Sequence, residues 1–205
     1  MTSRSPVQIS PADLASRDRY RLLTSLVVPR PIAWASTWNE SGGTNLAPFS
    51  YFAALSSTPA LVGISVGSRR DGPKDTLVNV RATGALCVNV VSEGQLEAMN
   101  QTSAEVGPDV DEFALAGLEG LPAPTVDAPY VAGCPAVLEC ELRKEVELSG
   151  SANTLVVLEV VGVLLDPELL PEDGYGVPPE LLRPVGRLGG IGYMLPRAFR
   201  EIERP

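Results

Sequence analysis

Histidine is absent from the chain. That excludes Ser-His-Asp and Cys-His nucleophile systems and any histidine-based zinc or iron centre. Cysteine is scarce. Cys87, Cys134 and Cys140 form no C-x-x-C pair, and their odd number cannot complete a disulfide framework. They read as small apolar residues in strands. No apolar run approaches the roughly 20 residues that a bilayer span needs. The opening Met1-Thr2-Ser3-Arg4-Ser5-Pro6 lacks the apolar stretch of a signal peptide, so the expected location is the cytoplasm. Positive charge is also in deficit: 16 Lys and Arg against 25 Asp and Glu give a net charge of −9. Such a balance argues against a nucleic acid or an anionic membrane as partner. Chemistry is left to carboxylates, Lys, Tyr or Cys, or to a bound organic cofactor, which can carry hydride transfer without a catalytic side chain.

What is present is an ordinary globular mixture. Hydrophobic residues make up 44% and charged residues 20% of 205 residues, enough for one domain spanning residues 1–205. Ser10-Pro11-Ala12-Asp13 has the pattern of a helix start, with Ser as cap and Pro at the first helical position, and predicts a short helix running towards Leu23. Pro31 opens a strand in which Ile32, Trp34, Ser36 and Trp38 alternate with Ala33, Ala35 and Thr37. Asn39-Glu40-Ser41-Gly42-Gly43 is a turn. A second extended stretch is predicted over 44–52, with Pro48 at an edge or bulge, and a third over 61–66. Residues 75–83 read as a helix capped by Asp75 and ended by Gly84. An apolar strand follows over 85–91. Ser92 with Gln95, and Asp109 with Glu112, have capping-box spacing.

The period-2 pattern is clearest in the second half. Leu138, Cys140, Leu142, Val146 and Leu148 share one parity, and Glu139, Glu141, Arg143, Glu145 and Glu147 share the other. This predicts a long strand with one wet face. The turn Ser149-Gly150-Ser151-Ala152-Asn153 returns the chain into a more continuously apolar strand over 154–165, forming a hairpin. The proline-rich segments 121–135 and 166–184 read as ordered crossovers. About six strands with short helices make a mainly β fold, a β-barrel with helical decorations; periodicity does not select among small barrels.

Three segments carry candidate chemistry. Arg69-Arg70-Asp71-Gly72-Pro73-Lys74 gathers three of the 16 basic residues next to the helix start Asp75-Thr76. A helix N-terminus with added Lys or Arg charge and a Thr hydroxyl can hold a phosphate; a solvated loop before an ordinary helix is the alternative. In Asn45-Leu46-Ala47-Pro48-Phe49-Ser50-Tyr51-Phe52, Asn45 and Ser50 interrupt an apolar stretch. They suit the polar edge of a flat heterocycle, or an irregular edge strand. Gly186-Arg187-Leu188-Gly189-Gly190-Ile191-Gly192-Tyr193 is glycine-rich but does not match the dinucleotide fingerprint. It is either a plain loop or one that carries Arg187 or Tyr193 to a ligand.

Taken in order, Pro29-Arg30-Pro31-Ile32-Ala33-Trp34-Ala35-Ser36-Thr37, the glycine turn, Asn45-Leu46-Ala47-Pro48-Phe49-Ser50, Lys74-Asp75-Thr76 and the final Gly-Arg-Leu-Gly-Gly resemble the flavin reductase-like, FMN-binding split β-barrel family of flavoredoxin type. The resemblance spans about residues 22–193. It implies a homodimer with FMN at the subunit interface. It also implies NAD(P)H-dependent flavin reduction with NADH or NADPH as donor, and a flavin-dependent monooxygenase as a partner. An FMN electron carrier without its own NAD(P)H activity is the alternative. Carried over by position, Ser36 and Thr37 would lie at the phosphate or ribityl end. Asn45, Leu46, Ala47 and Ser50 would line the isoalloxazine. Ser65, Arg69, Lys74 and Thr76 would complete the phosphate and ribityl contacts, and Tyr193 would approach the ring. No residue is assigned to catalysis and none to a metal. One departure is Leu164, in a strand where relatives often carry a histidine.

Overall fold

A computed structural model describes residues 5–69, 72–107, 110–170 and 174–202. Its main sheet has seven antiparallel strands: β1 (Ala33–Trp38), β2 (Thr44–Phe49), β3 (Phe52–Ser57), β4 (Ala60–Val66), β5 (Ala85–Val90), β6 (Ala136–Glu147) and β7 (Thr154–Leu165). The spatial order is β2-β1-β5-β6-β7-β4-β3. The end strands β2 and β3 are consecutive in the chain, joined by Ser50 and Tyr51. The sheet therefore curls back on itself as a split barrel, and at the corner the Ser65 amide donates to the Tyr51 carbonyl at 2.8 Å, extending the β3–β4 ladder.

β1 shows how the sequence sets this architecture. Both of its parities are apolar, and both are buried. Ala33 and Ala35 face the barrel interior with Phe49, Ile64, Val88, Cys140 and Leu158. Trp34 and Ile32 face outward into a second core with Leu46, Met99, Phe113 and Val185. Small alanines inside and a large indole outside fit a narrow barrel with covered walls. The Trp34 indole N–H donates to the Thr102 hydroxyl at 2.9 Å, satisfying its one polar atom.

Helix α1 (Ser16–Leu26) lies before the barrel, and α2 (Asp75–Thr83) plugs it with Leu77 and Val80. Gly84 ends α2 at φ +74°, where a residue with a Cβ would be strained. Helices α3 (Leu96–Gln101) and α4 (Glu112–Leu115) pack along the outside of β2. The β6–β7 hairpin follows the predicted pairing, with irregular register at Glu139/Cys140 and Leu142/Lys144.

Several expectations change. The predicted helix over 11–23 starts later: Pro11–Asp13 is a single 3-10 turn, Leu14 and Ala15 are extended, and Ser10 makes no capping bond. The stretch over 44–52 is two strands broken at Ser50 and Tyr51, because β2 pairs with β1 and β3 pairs with β4. Asp75 is the first residue of α2 rather than its cap, and Lys74 holds the cap position. The Ser92–Gln95 capping box is present. Asp109 lies outside the described residues; α4 is instead capped by Asp111, which accepts from the Phe113 and Ala114 amides. Glu139 departs from its wet face. It is 1% exposed and accepts from the Thr125 amide at 2.7 Å, because the crossover over 123–128 packs on that side of β6.

Candidate functional site

The start of α2 opens into a cleft of about 900 Å³. One wall is the edge strand β2, through Asn45, Ala47 and Pro48. A second is Ser68 and Arg69 with the α2 entry, Lys74, Asp75 and Thr76. The third is residues 102–107 with Glu112. The edge position matters: Pro48 has no N–H to offer a neighbouring strand, so it suits the open side of β2.

The positive side of the cleft is built from α2. The Lys74 carbonyl accepts from the Leu77 and Val78 amides. The preceding amides of Asp75 and Thr76 belong to the first turn, which a helix cannot pair internally. Lys74 sits beside them with its Nζ 5.3 Å from the Phe49 ring centroid. Among the described residues it has no carboxylate within ion-pair distance. Arg69 is engaged differently, with its Nη2 2.6 Å from Asp75 Oδ2.

A polar network backs the cleft. Asn45 Nδ2 donates to Thr76 Oγ1 at 3.0 Å and reaches Thr37 Oγ1 at 3.5 Å. Asn79 Nδ2 donates to Thr37 Oγ1 at 2.9 Å. All four side chains are buried, and each has a partner, as buried polar groups require. Opposite them stands Glu112, 5% exposed, whose Oε2 accepts from the Leu46 amide at 3.1 Å. Burial pushes its carboxyl above the ordinary range; the Leu46 and Glu112 amides pull it back, and Asp75 and Asp111 raise it further.

Of the residues predicted from sequence, Asn45, Ala47, Arg69, Lys74 and Thr76 share this cleft, and Thr37 stands behind it. Others lie elsewhere in the chain. Ser36 is fully buried, donating to the Pro129 carbonyl at 2.6 Å and accepting from Asn89 Nδ2 at 2.9 Å. The Leu46 side chain fills the outer core, so only its backbone faces the cleft wall. Ser50 accepts from Arg30 Nε at 3.4 Å beside a separate apolar groove. Ser65 accepts from Asn153 Nδ2 at 3.1 Å. Tyr193 donates to Asn100 Oδ1 at 2.9 Å, and its ring packs 4.4 Å from the Arg187 guanidinium. Sequence reasoning missed Glu112 and the wall over 102–107. The Asp109/Glu112 spacing reads as a capping pattern in the sequence, and the distance of Glu112 along the chain from β2 hides the contact.

Comparison with known proteins then places the chain. The profile of the flavin reductase like domain matches residues 25–182, well over half of the sequence. The chain belongs to the flavin reductase-like family. A protein of Halalkalibacterium halodurans is 37% identical over 203 residues, covering 97% of each chain. Among solved structures, nitrilotriacetate monooxygenase component B from Bacillus cereus superimposes with a TM-score of 0.93 at 29% identity, covering 98% of this chain and 100% of that one. The 2-nitrobenzoate 2-nitroreductase of Pseudomonas fluorescens gives 0.88 at 30% identity, covering 97% and 96%. The family and these neighbours make this a flavin-related oxidoreductase on a split β-barrel.

Proposed function

We propose that the protein binds FMN in the α2 cleft and acts as an NAD(P)H-dependent flavin reductase. The observation that carries this reading is the α2 N-terminus with Lys74 beside it, opening into the cleft along the free edge of β2. Oriented amides and an ammonium with no carboxylate partner among the described residues suit a phosphate. The cleft volume leaves room for a ribityl chain and a flat ring along Asn45, Ala47 and Pro48.

In this reading Lys74, the Thr76 hydroxyl and the first α2 amides hold the phosphate, and Arg69 extends that site once its pairing with Asp75 loosens. Asn45, braced by Thr76 and Thr37, presents a fixed amide to the ligand. Ser36, Leu46, Ser50, Ser65 and Tyr193 do not join this wall from the same chain. A role for Ser50 or Tyr193 would come through a second copy at a shared interface. The flavin supplies hydride acceptance from NADH or NADPH; the chain supplies orientation and charge. The likeness to a monooxygenase component supports delivery of reduced flavin to a flavin-dependent monooxygenase. We take residues 1–205 as one domain acting as a homodimer in the cytoplasm.

A second reading, an FMN electron carrier without its own NAD(P)H activity, is favoured by one observation. The chain has no histidine, and Leu164, where relatives often carry one, packs against an apolar cluster with Cys134 and Val161. Two measurements test both readings. The absorption spectrum of the purified protein, with release and identification of its chromophore, tests flavin binding. Anaerobic mixing with NADH and NADPH tests reduction: rapid bleaching supports the reductase, and an oxidised spectrum that only an added reductant bleaches supports the carrier. A protein whose spectrum is unchanged by added FMN overturns both.

A further inference from the structure

We propose that Glu112 is the proton-accepting group of the cleft, so that binding of FMN is coupled to proton uptake at its carboxylate. The inference rests on the reading of the cleft as a flavin phosphate site and adds a residue that this reading does not use.

The argument starts from charge. Among the described residues, the cleft is lined by two cations, Arg69 and Lys74, and three carboxylates, Asp75, Glu105 and Glu112. A phosphate dianion entering such a cleft meets more negative than positive side-chain charge, and the local balance must adjust. The three acids are not equivalent. Glu105 is exposed and solvated. Asp75 is paired with Arg69 at 2.6 Å. Glu112 is 5% exposed, has no cationic partner among the described residues, and is held by the Leu46 amide at 3.1 Å. The groups facing it make ionisation harder still. Asp111 adjoins it on its own element, and Glu40 of the β1–β2 turn and Asp75 share with it an adjoining cavity of about 340 Å³. Lys74 stands across the cleft. An additional negative charge therefore falls hardest on Glu112, and adding a proton there costs least. Protonation keeps the Leu46 contact, because a neutral carboxyl still accepts an amide through its carbonyl oxygen.

The test compares wild type with Glu112→Gln, which keeps an acceptor for Leu46 and cannot titrate. FMN affinity is measured from acid to mildly alkaline pH, with proton uptake read by calorimetry in buffers of different ionisation heat. The second ionisation of the phosphate, near pH 6, is common to both proteins and cancels in the comparison. The expected result is that wild type takes up more protons than the variant. Its affinity should fall relative to the variant as pH rises, to a gap of about tenfold near pH 8 for each unit by which binding displaces the Glu112 pKa. Parallel affinity curves with equal proton counts overturn the inference while leaving FMN binding intact. Failure of both proteins to bind FMN overturns the reading of the cleft, and this inference with it. Should the variant not fold, infrared difference spectroscopy of wild type decides: a protonated-carboxyl band that grows on adding FMN supports the proposal, and its absence overturns it.

Discussion

Lys74 combines a cap position, a cation and a partly open setting, so its removal should touch binding more than folding. Little apolar area is lost with its side chain, and a change of this kind typically moves stability by about 0.5 kcal/mol or less. A charge-assisted contact to phosphate is worth about 1.5–3 kcal/mol. Lys74→Ala should therefore raise the FMN dissociation constant by roughly 10- to 150-fold, towards the lower end where Arg69 compensates. Titration by flavin fluorescence, paired with melting of the apo-protein, checks it; unchanged affinity moves the phosphate elsewhere. The cysteines give the opposite expectation. Cys87 and Cys140 are buried and Cys134 is half-buried, all free thiols. Burial raises all three thiols, Cys140 to about 12 and Cys134 to about 11. A thiol reagent at neutral pH should leave Cys87 and Cys140 unmodified until the protein unfolds, and flavin content should be unaffected. Glu112 makes a third expectation, through stability. Its raised native carboxyl means that the folded chain holds the proton more tightly than the unfolded one. Its favourable contribution is present at acid pH and is lost as pH rises through the native pKa. The apo Glu112→Gln protein should gain in melting temperature over wild type at neutral pH, with the gain shrinking towards acid pH.

Among the elements, α4 has only four residues and a large task. Asp111 accepts from the Phe113 and Ala114 amides and from the Thr44 hydroxyl at 2.7 Å, while Glu112 reaches the Leu46 amide. Two adjacent carboxylates thus clamp a short helix onto the outer edge of β2. Asp111→Ala removes both the cap and the Thr44 tie and should cost about 1 kcal/mol, within the 0.5–2 kcal/mol range of lost N-caps. Chemical denaturation of the apo-protein measures it, and a loss below about 0.3 kcal/mol would mean that Phe113 packing and the Glu112–Leu46 bond hold α4 without Asp111. What was legible in the sequence divides at this scale. β6 and β7 were readable because alternating parity and a glycine turn act locally. α2 was readable because Leu77, Val80 and Gly84 mark a face and an end. β3 was not readable as a strand of its own. It is largely exposed along its length, and apolar Ala53, Ala54 and Leu55 give no alternation. Glu139 was misassigned because the chain that covers it lies more than ten residues earlier. In the cleft, the Lys74-Asp75-Thr76 segment could be read locally, whereas Glu112 meets β2 only after folding.

For the whole molecule, one cluster of exposed apolar side chains lies between α1 and β3. Leu23 of α1 is 52% exposed, Val27 just past its end 53%, and Leu55 of β3 48%. They line an apolar groove of about 410 Å³ with Tyr51, Phe52, Pro29 and Leu155. The Leu55 side chain lies over Gly63, where an added Cβ would fall 2.8 Å from Leu55 Cδ1. An edge strand that is apolar and open invites pairing or coverage. The proposed homodimer provides it: a twofold interface places the same patch on both subunits and covers α1 and β3 of each with the other. The expected outcome is a dimer mass by light scattering at micromolar concentration. Leu55→Asp should shift that mass towards the monomer, because a carboxylate buried without a partner between two copies is costly. Within one chain the same change lies at a half-exposed position, so circular dichroism of the apo-protein should keep its β-rich form. Wild type that scatters as a monomer with FMN present would overturn the homodimer. A Leu55→Asp protein that remains dimeric would move the interface to another face and leave the groove to a different occupant.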